Sequence, residues 1–329
     1  MTDKPRVWVS RPTFPDVIAR LEPHFDVSVE GEERKLGAAE LNARLTGQDA
    51  VIVGLKDRIG AAEIRQAERL RIVANLAVGY DNIDLEALSA AGIAVTNTAD
   101  VLNESVADFT WALLLGVARR VTAAERWLRE GRWHATEFKA WLGADVRGRT
   151  LGILGMGRIG QAIARRATGF GMPVIYHNRA PLPEPQERAC NARHVTKQQL
   201  LGESDFLVLA LPLTAQTHHA IGAPELALMK PTAMLINIAR GGIVDDVALA
   251  TVLREHRLAG AALDVFEGEP EVRPELLALD NVVLSPHIAS ATTETRHAMT
   301  SVAVDNVLAL FGHGPHAGRP PNILNPQVL

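Results

Sequence analysis

Short apolar runs alternate with helical repeats up to Asn97. Arg6–Val9, Asp26–Val29, Ala50–Val53, Arg71–Asn75 and Ala94–Thr96 are predicted strands. Between them, Thr13–Leu21, Ala38–Leu45, Ala61–Ala67 and Leu85–Ala91 space their apolar residues as helices do. Such alternation implies a parallel sheet with both faces covered. A second series begins at Leu151, with strands predicted at Leu151–Leu154, Val174–His177, Phe206–Leu209, Met234–Asn237, Gly260–Asp264 and Val282–Leu284. Between the two series one long helical pattern runs from Asn103 to Glu130. Glu104, Asp108, Arg119, Arg120, Glu125 and Arg129 supply its polar positions among Val, Leu, Phe and Trp. A helix of that length bridges domains, forms a partner interface, or packs on its own domain. After Pro286, Thr292–Phe311 again has a helical pattern, and a short Gly-, Pro- and His-rich tail follows.

The preferred arrangement sends that last helix back onto the first series. The fold class is then α/β, with two doubly wound parallel-sheet domains. A Rossmann dinucleotide-binding domain, 99–289, is inserted into a flavodoxin-like substrate domain, 1–98 plus 290–329.

The second series opens on Leu151-Gly-Ile-Leu-Gly-Met-Gly-Arg-Ile-Gly160, a strand, a Gly-x-Gly-x-x-Gly turn and a helix start. Gly155 permits the tight turn, Gly157 lets backbone approach a pyrophosphate, and Gly160 lets helix and strand pack closely. The helix N-terminus offers free N–H groups to phosphates. The first series has no such turn. An NAD site usually carries Asp or Glu at the end of the next strand, about 20 residues on. Here Val174–His177 runs into Asn178-Arg179, and the first acid downstream is Glu184. Arg179 suits a 2′-phosphate, which a carboxylate would repel. NADP(H) is therefore preferred, with NAD(H) possible if Arg179 is merely solvated.

Composition narrows the class without changing it. The 329 residues are 47% apolar and 22% charged, with a net charge of −4, which favours neither nucleic acid nor anionic membrane. No leader is visible in Met-Thr-Asp-Lys-Pro-Arg, and the apolar run near Trp111–Ala118 is far too short to span a bilayer. A single cysteine, Cys190, excludes an intrachain disulfide and a cysteine-based metal cluster. The expectation is a cytoplasmic, metal-free protein.

Three strand-end segments carry candidate chemistry. Ile236–Gly242 presents Arg240, Leu263–Pro270 presents Asp264, Glu267 and Glu269, and Leu284–Ser290 presents His287. In open α/β sheets, ligands bind beyond the carboxyl ends of the strands. Taken singly, each residue has an ordinary explanation: a surface or core histidine, a turn-capping Asp264, loop carboxylates, a solvated arginine. Together, downstream of one glycine turn, they suggest carbonyl reduction. A histidine donates the proton, a carboxylate on its other ring nitrogen fixes the tautomer, and an arginine fork clamps a carboxylate and the carbonyl oxygen.

These segments resemble the D-isomer-specific 2-hydroxyacid dehydrogenases over nearly the whole chain. Val78–Asp84 is similar to the family's substrate-side loop and Thr96–Leu102 to its first interdomain crossing. Val78–Asp84, Asn178-Arg179, Trp141–Val146 and Asn325–Val328 look most like the bacterial glyoxylate/hydroxypyruvate reductases, also described as 2-ketogluconate reductases. The resemblance implies NADPH-preferring reduction of small 2-oxo acids to D-2-hydroxy acids. Arg240 would bind the substrate carboxylate and carbonyl oxygen, His287 would be the acid, and Glu269 rather than Glu267 its partner. The Val78 and Gly79 amides would receive the carboxylate, with Leu55 or Lys56 nearby. Arg158 and Ile159 amides would bind pyrophosphate. Asn178, Arg179, Leu211, Pro212, Ile238, Ala239 and Ala289 would line the cofactor, and Asp264 would meet the nicotinamide carboxamide. A homodimer is implied, with the helix after the crossing in its interface. Trp141 would reach the neighbouring active site or simply anchor that interface. Hinges are implied near Asn97–Val101 and His287–Ser290. Ala99 stands where many members have proline, and Ala289 where many have glycine. Two alternatives remain: a dinucleotide-sensing co-regulator, and a dehydrogenase of a phosphorylated hydroxyacid or phosphite using Lys56 and Arg58.

Overall fold

The computed structural model describes residues 4–34, 36–136 and 138–329; Met1–Asp3, part of the stretch expected to lack a leader, lie outside them. The chain forms two compact units, Met1–Leu102 with Ala291–Leu329, and Asn103–Ser290.

The first unit holds β1 (Arg6–Val9), β2 (Asp26–Val29), β3 (Ala50–Val53), β4 (Ile72–Asn75) and β5 (Ala94–Thr96). They form one parallel sheet in the order β2-β1-β3-β4-β5, the flavodoxin-like order. Alternate strand residues feed two cores. Val7, Val9, Ile52, Ile72 and Ala74 pack with Val17, Leu21, Ala303, Val304 and Val307. Trp8, Val51, Val53, Val73 and Val95 pack with Leu41, Leu45 and Leu88. The terminal helix, Thr293–Leu310, thus covers one face of this sheet. Asn325 closes the β5 edge: its side chain accepts from Val95 N–H (2.8 Å) and donates to the Ile93 carbonyl (2.9 Å). Two predicted helices are smaller than expected. Thr13–Leu21 yields helix only at Pro15–Ile18, and Ala61–Ala67 a 3₁₀ turn at Glu63–Gln66.

The second unit holds β6 (Leu151–Leu154), β7 (Val174–His177), β8 (Ala192–His194), β9 (Phe206–Leu209), β10 (Met234–Asn237), β11 (Gly260–Leu263) and β12 (Val282–Leu284). All are parallel, in the order β12-β11-β10-β9-β6-β7-β8. The order reverses at β6, where doubly wound sheets bind ligands. β8 was not expected, because Ala-Arg-His has no apolar run. It is a three-residue edge strand.

The single helix expected over Asn103–Glu130 is in fact two, Asn103–Ala118 and Val121–Arg129. Arg120 between them is left-handed at φ 54°. The Gly143–Ala144 segment docks on the first helix end, and Ala144 N–H donates to the Ala118 carbonyl at 2.8 Å. A Cβ at Gly143 would come within 2.3 Å of that carbonyl oxygen, so glycine permits the cap. The first helix packs inside its own unit, with Trp111 stacked on Phe170 at 4.5 Å and donating to the Ile163 carbonyl at 3.1 Å. Among the described residues, no helix is long and apolar enough to cross a membrane.

Candidate active site

Apart from Trp141, which precedes β6, the candidate residues of the second unit lie beyond the carboxyl ends of parallel strands and so share one edge of the sheet. After β6, Gly155 is left-handed at φ 100°, and a Cβ there would lie 2.5 Å from the Ala210 carbonyl oxygen. Glycine therefore brings the β6 turn against the backbone leading to Leu211. A Cβ on Gly160 would meet the Gly155 carbonyl oxygen at 2.4 Å, which holds helix Arg158–Ala167 close to the turn. A Cβ on Gly157 would meet nothing within 4 Å. Gly157 precedes this helix and supplies no capping side chain. A helix start without a side-chain cap, with open space at the Gly157 Cβ position, fits a dinucleotide pyrophosphate.

Asn178 does more than line this site. Its carboxamide oxygen accepts from Met156 N–H at 2.7 Å, and its backbone carbonyl lies 3.1 Å from His194 Nε2. Asn178 therefore holds the glycine turn from the end of β7. Arg179 beside it is exposed, and no carboxylate ends this strand.

Arg240 is set by the β10 end. Buried Asn237 accepts from Ala239 N–H (3.1 Å) and donates to the Arg240 carbonyl (3.1 Å), folding the turn around its own side chain. A Cβ at Gly241 would fall 1.8 Å from the Phe266 carbonyl oxygen. The Arg240 turn and the 264–270 loop can therefore touch only through glycine.

In that loop the Glu269 carboxylate accepts from Phe266 N–H at 2.9 Å through one oxygen and meets His287 Nδ1 at 2.9 Å through the other. Burial opposes its ionisation. The hydrogen bond and charge of His287, Phe266 N–H and the charge of Arg240 outweigh this and hold the carboxyl below its usual range. Glu269 and His287 thus meet, with the Arg240 turn packed against the same loop. Glu267 is not the partner of His287; it faces His219 Nε2 at 3.0 Å.

His287 sits at φ 54°, a left-handed position that costs an ordinary residue about 1–3 kcal/mol. Asp264 holds it there. The buried Asp264 side chain accepts from Ser285 Oγ (2.7 Å), Ile288 N–H (2.9 Å) and Ala289 N–H (2.9 Å), while its backbone carbonyl accepts from His287 N–H (2.9 Å). Burial raises the Asp264 pKa despite these donors. Sequence reasoning gave Asp264 a cofactor contact and missed this positioning role, and it missed Asn237 and Ser285. A polar residue ending an apolar strand was the available signal. Cys190, which ends the helix Glu184–Ala189, is buried. Its thiol donates to the Gln161 carbonyl at 3.8 Å, and burial raises its pKa.

In the first unit, Val78 and Gly79 are half-buried on a loop held from below. Asn97 donates to the Val78 carbonyl (2.9 Å), and Asn75 donates to the Gly79 carbonyl (2.9 Å). Asn82 donates to the Gly54 and Asp57 carbonyls, tying in the turn that carries Leu55. None of these asparagines was singled out from sequence. Trp141 is left-handed at φ 57° and packs edge-on against Trp127 at 5.5 Å, with Arg120 over its ring at 5.1 Å.

A glycine turn at the reversal of a parallel sheet, with an Arg–Glu–His set on the same edge, defines a nicotinamide-dinucleotide-dependent oxidoreductase. Residues 111–289 match the D-isomer specific 2-hydroxyacid dehydrogenase NAD binding domain, and the chain belongs to that family. It is 47% identical to the glyoxylate reductase of Thermococcus gammatolerans over 99% of this chain and 97% of that one. Its fold is similar to a Thermus thermophilus crystal structure, with a TM-score of 0.89 and 43% identity over 97% of this chain and 99% of that one. It is also similar to the NADPH-dependent glyoxylate/hydroxypyruvate reductase of Sinorhizobium meliloti in complex with NADP and malonate. There the TM-score is 0.83, with 39% identity over 95% of each chain.

Proposed function

We propose that this dehydrogenase reduces glyoxylate and related small 2-oxo acids, hydroxypyruvate and 2-ketogluconate among them, with NADPH as the preferred donor. The observation that carries the reading is the 2.9 Å His287–Glu269 contact beside the Arg240 turn. Arg240 holds the substrate carboxylate and carbonyl oxygen, a geometry its planar fork suits. His287 gives its Nε2 proton to the carbonyl oxygen as that oxygen gains charge, and takes a proton back in the oxidative direction. Glu269, bonded to Nδ1, fixes the imidazole tautomer and the orientation of the ring. Bound NADPH supplies the hydride. We also assign Val78, Gly79 and Leu55 to substrate binding, and the Arg158 and Ile159 amides to the pyrophosphate. Leu211, Pro212, Ile238, Ala239 and Ala289 are assigned to the walls of the cofactor site, and Asp264 to the carboxamide in addition to its hold on His287.

NADPH preference is supported by exposed Arg179 and by the lack of an acid at the end of β7. The names of the relatives support glyoxylate. A homodimer is supported by the exposed large apolar residues between 121 and 142, namely Val121, Leu128, Trp133, Phe138 and Leu142. The test is NADPH and NADH oxidation with glyoxylate, hydroxypyruvate, 2-ketogluconate and pyruvate side by side. Turnover is expected fastest with NADPH and glyoxylate or hydroxypyruvate, and no turnover with any of the four overturns the reading.

A further inference from the structure

A second histidine–carboxylate cluster stands apart from the Arg–Glu–His set. His218 and His219 follow β9, and Glu267 lies in the loop after β11, 48 residues beyond His219. His219 Nε2 meets one carboxylate oxygen of Glu267 at 3.0 Å, and His218 Nε2 stands 3.8 Å from the same oxygen. Their rings stack with centroids 4.0 Å apart and planes 24° from parallel. Neighbouring residues present their rings this way because His219 is left-handed at φ 49°. The backbone of each partner is pinned: His219 N–H donates to the Gly242 carbonyl at 2.7 Å, and Glu267 N–H to buried Asp246 at 3.0 Å.

We propose that His218, His219 and Glu267 bind a divalent transition-metal ion of the zinc class. The donor set is two imidazole nitrogens and a carboxylate oxygen, which such ions take at about 2.0–2.2 Å. Tetrahedral ligands at that range stand about 3.4 Å apart, between the two nitrogen–oxygen separations observed here. The ion ties the turn after β9 to the 264–270 loop and leaves coordination positions open to water.

The test uses the full chain without a histidine tag, with Zn²⁺ followed by calorimetry and Co²⁺ by visible absorption. One ion per chain is expected, with a Co²⁺ band of low-coordinate type. His218→Ala and Glu267→Gln should each weaken binding at least about tenfold. His24→Ala, which removes half of the remote His24–His313 stack, should change nothing. No saturable binding by the wild type overturns the site, as does equal binding by wild type, His218→Ala and Glu267→Gln. If Glu267→Gln fails to fold, His218→Ala decides alone, since half of that side chain is exposed.

Discussion

The two sheets begin alike and treat their first turns in opposite ways. After β1, side chains fill the turn. Buried Asp57 accepts from Ser10 Oγ at 2.6 Å, from Arg11 at 2.9 Å and from Gly54 N–H at 2.9 Å. Arg11 lies so close to Gly54 that a Cβ there would come within 2.1 Å of its Cζ. After β6 the turn is bare: a Cβ on Gly157 would meet nothing within 4 Å, and Asn178 holds the loop from one side. A doubly wound sheet supplies a row of strand ends. Whether a row becomes a dinucleotide site depends on what the first turn leaves uncovered.

The contrast can be broken from either side. The largest effect is expected at the chemical end of the bare unit. His287→Ala should cut turnover by about 10²–10⁴-fold while NADPH affinity, read by fluorescence titration, stays within a few-fold. Turnover within tenfold of wild type would remove His287 from its role. Distorting the glycine turn comes next: Gly155→Val drives a side chain into the Ala210 backbone at a left-handed φ. Stability should fall by about 1–3 kcal/mol in urea and dinucleotide binding should be lost. The reciprocal change, Asp57→Ala, leaves Arg11 without its buried partner and should lower stability by about 3 kcal/mol. Dinucleotide affinity should hold; a matching loss would mean that the two turns are not separable. Arg179→Ala should lower the NADPH/NADH ratio of kcat/KM about tenfold, and an unchanged ratio assigns the preference elsewhere.

Glu269→Gln is the finest test. Without the carboxylate, the His287 ring loses the contact that orients it, and kcat for reduction should fall about tenfold. An unchanged kcat would point to another partner. The same substitution reads on stability. A carboxyl held below its usual range contributes stability above that range and loses it as pH falls through the lowered value, so the Gln variant should lose less on acidification.

Apolar patterning located nearly every strand, because residues of a doubly covered parallel sheet are buried on both faces and read as continuous runs. It could not locate β8, whose Ala-Arg-His is an edge kept in register by hydrogen bonding to β7. Nor could it see the break at Arg120, because that depends on Gly143 and Ala144 arriving from more than 20 residues away. In the site, charged residues after strands were legible and their supports were not. Asn237, Asn75 and Asn97 act by bonding nearby backbone, a use of asparagine that looks like any turn. Glu267 was legible in the sequence and His219 was not, and only the fold brings them within 3.0 Å.

Gly241 carries a consequence for anyone reshaping this enzyme. Because its Cα hydrogen stands where any larger group would strike the Phe266 carbonyl, the arginine turn and the glutamate loop behave as one mechanical part. Libraries that randomise the first while freezing the second will mostly sample backbones that cannot close. The two must be diversified as a pair around an untouched glycine.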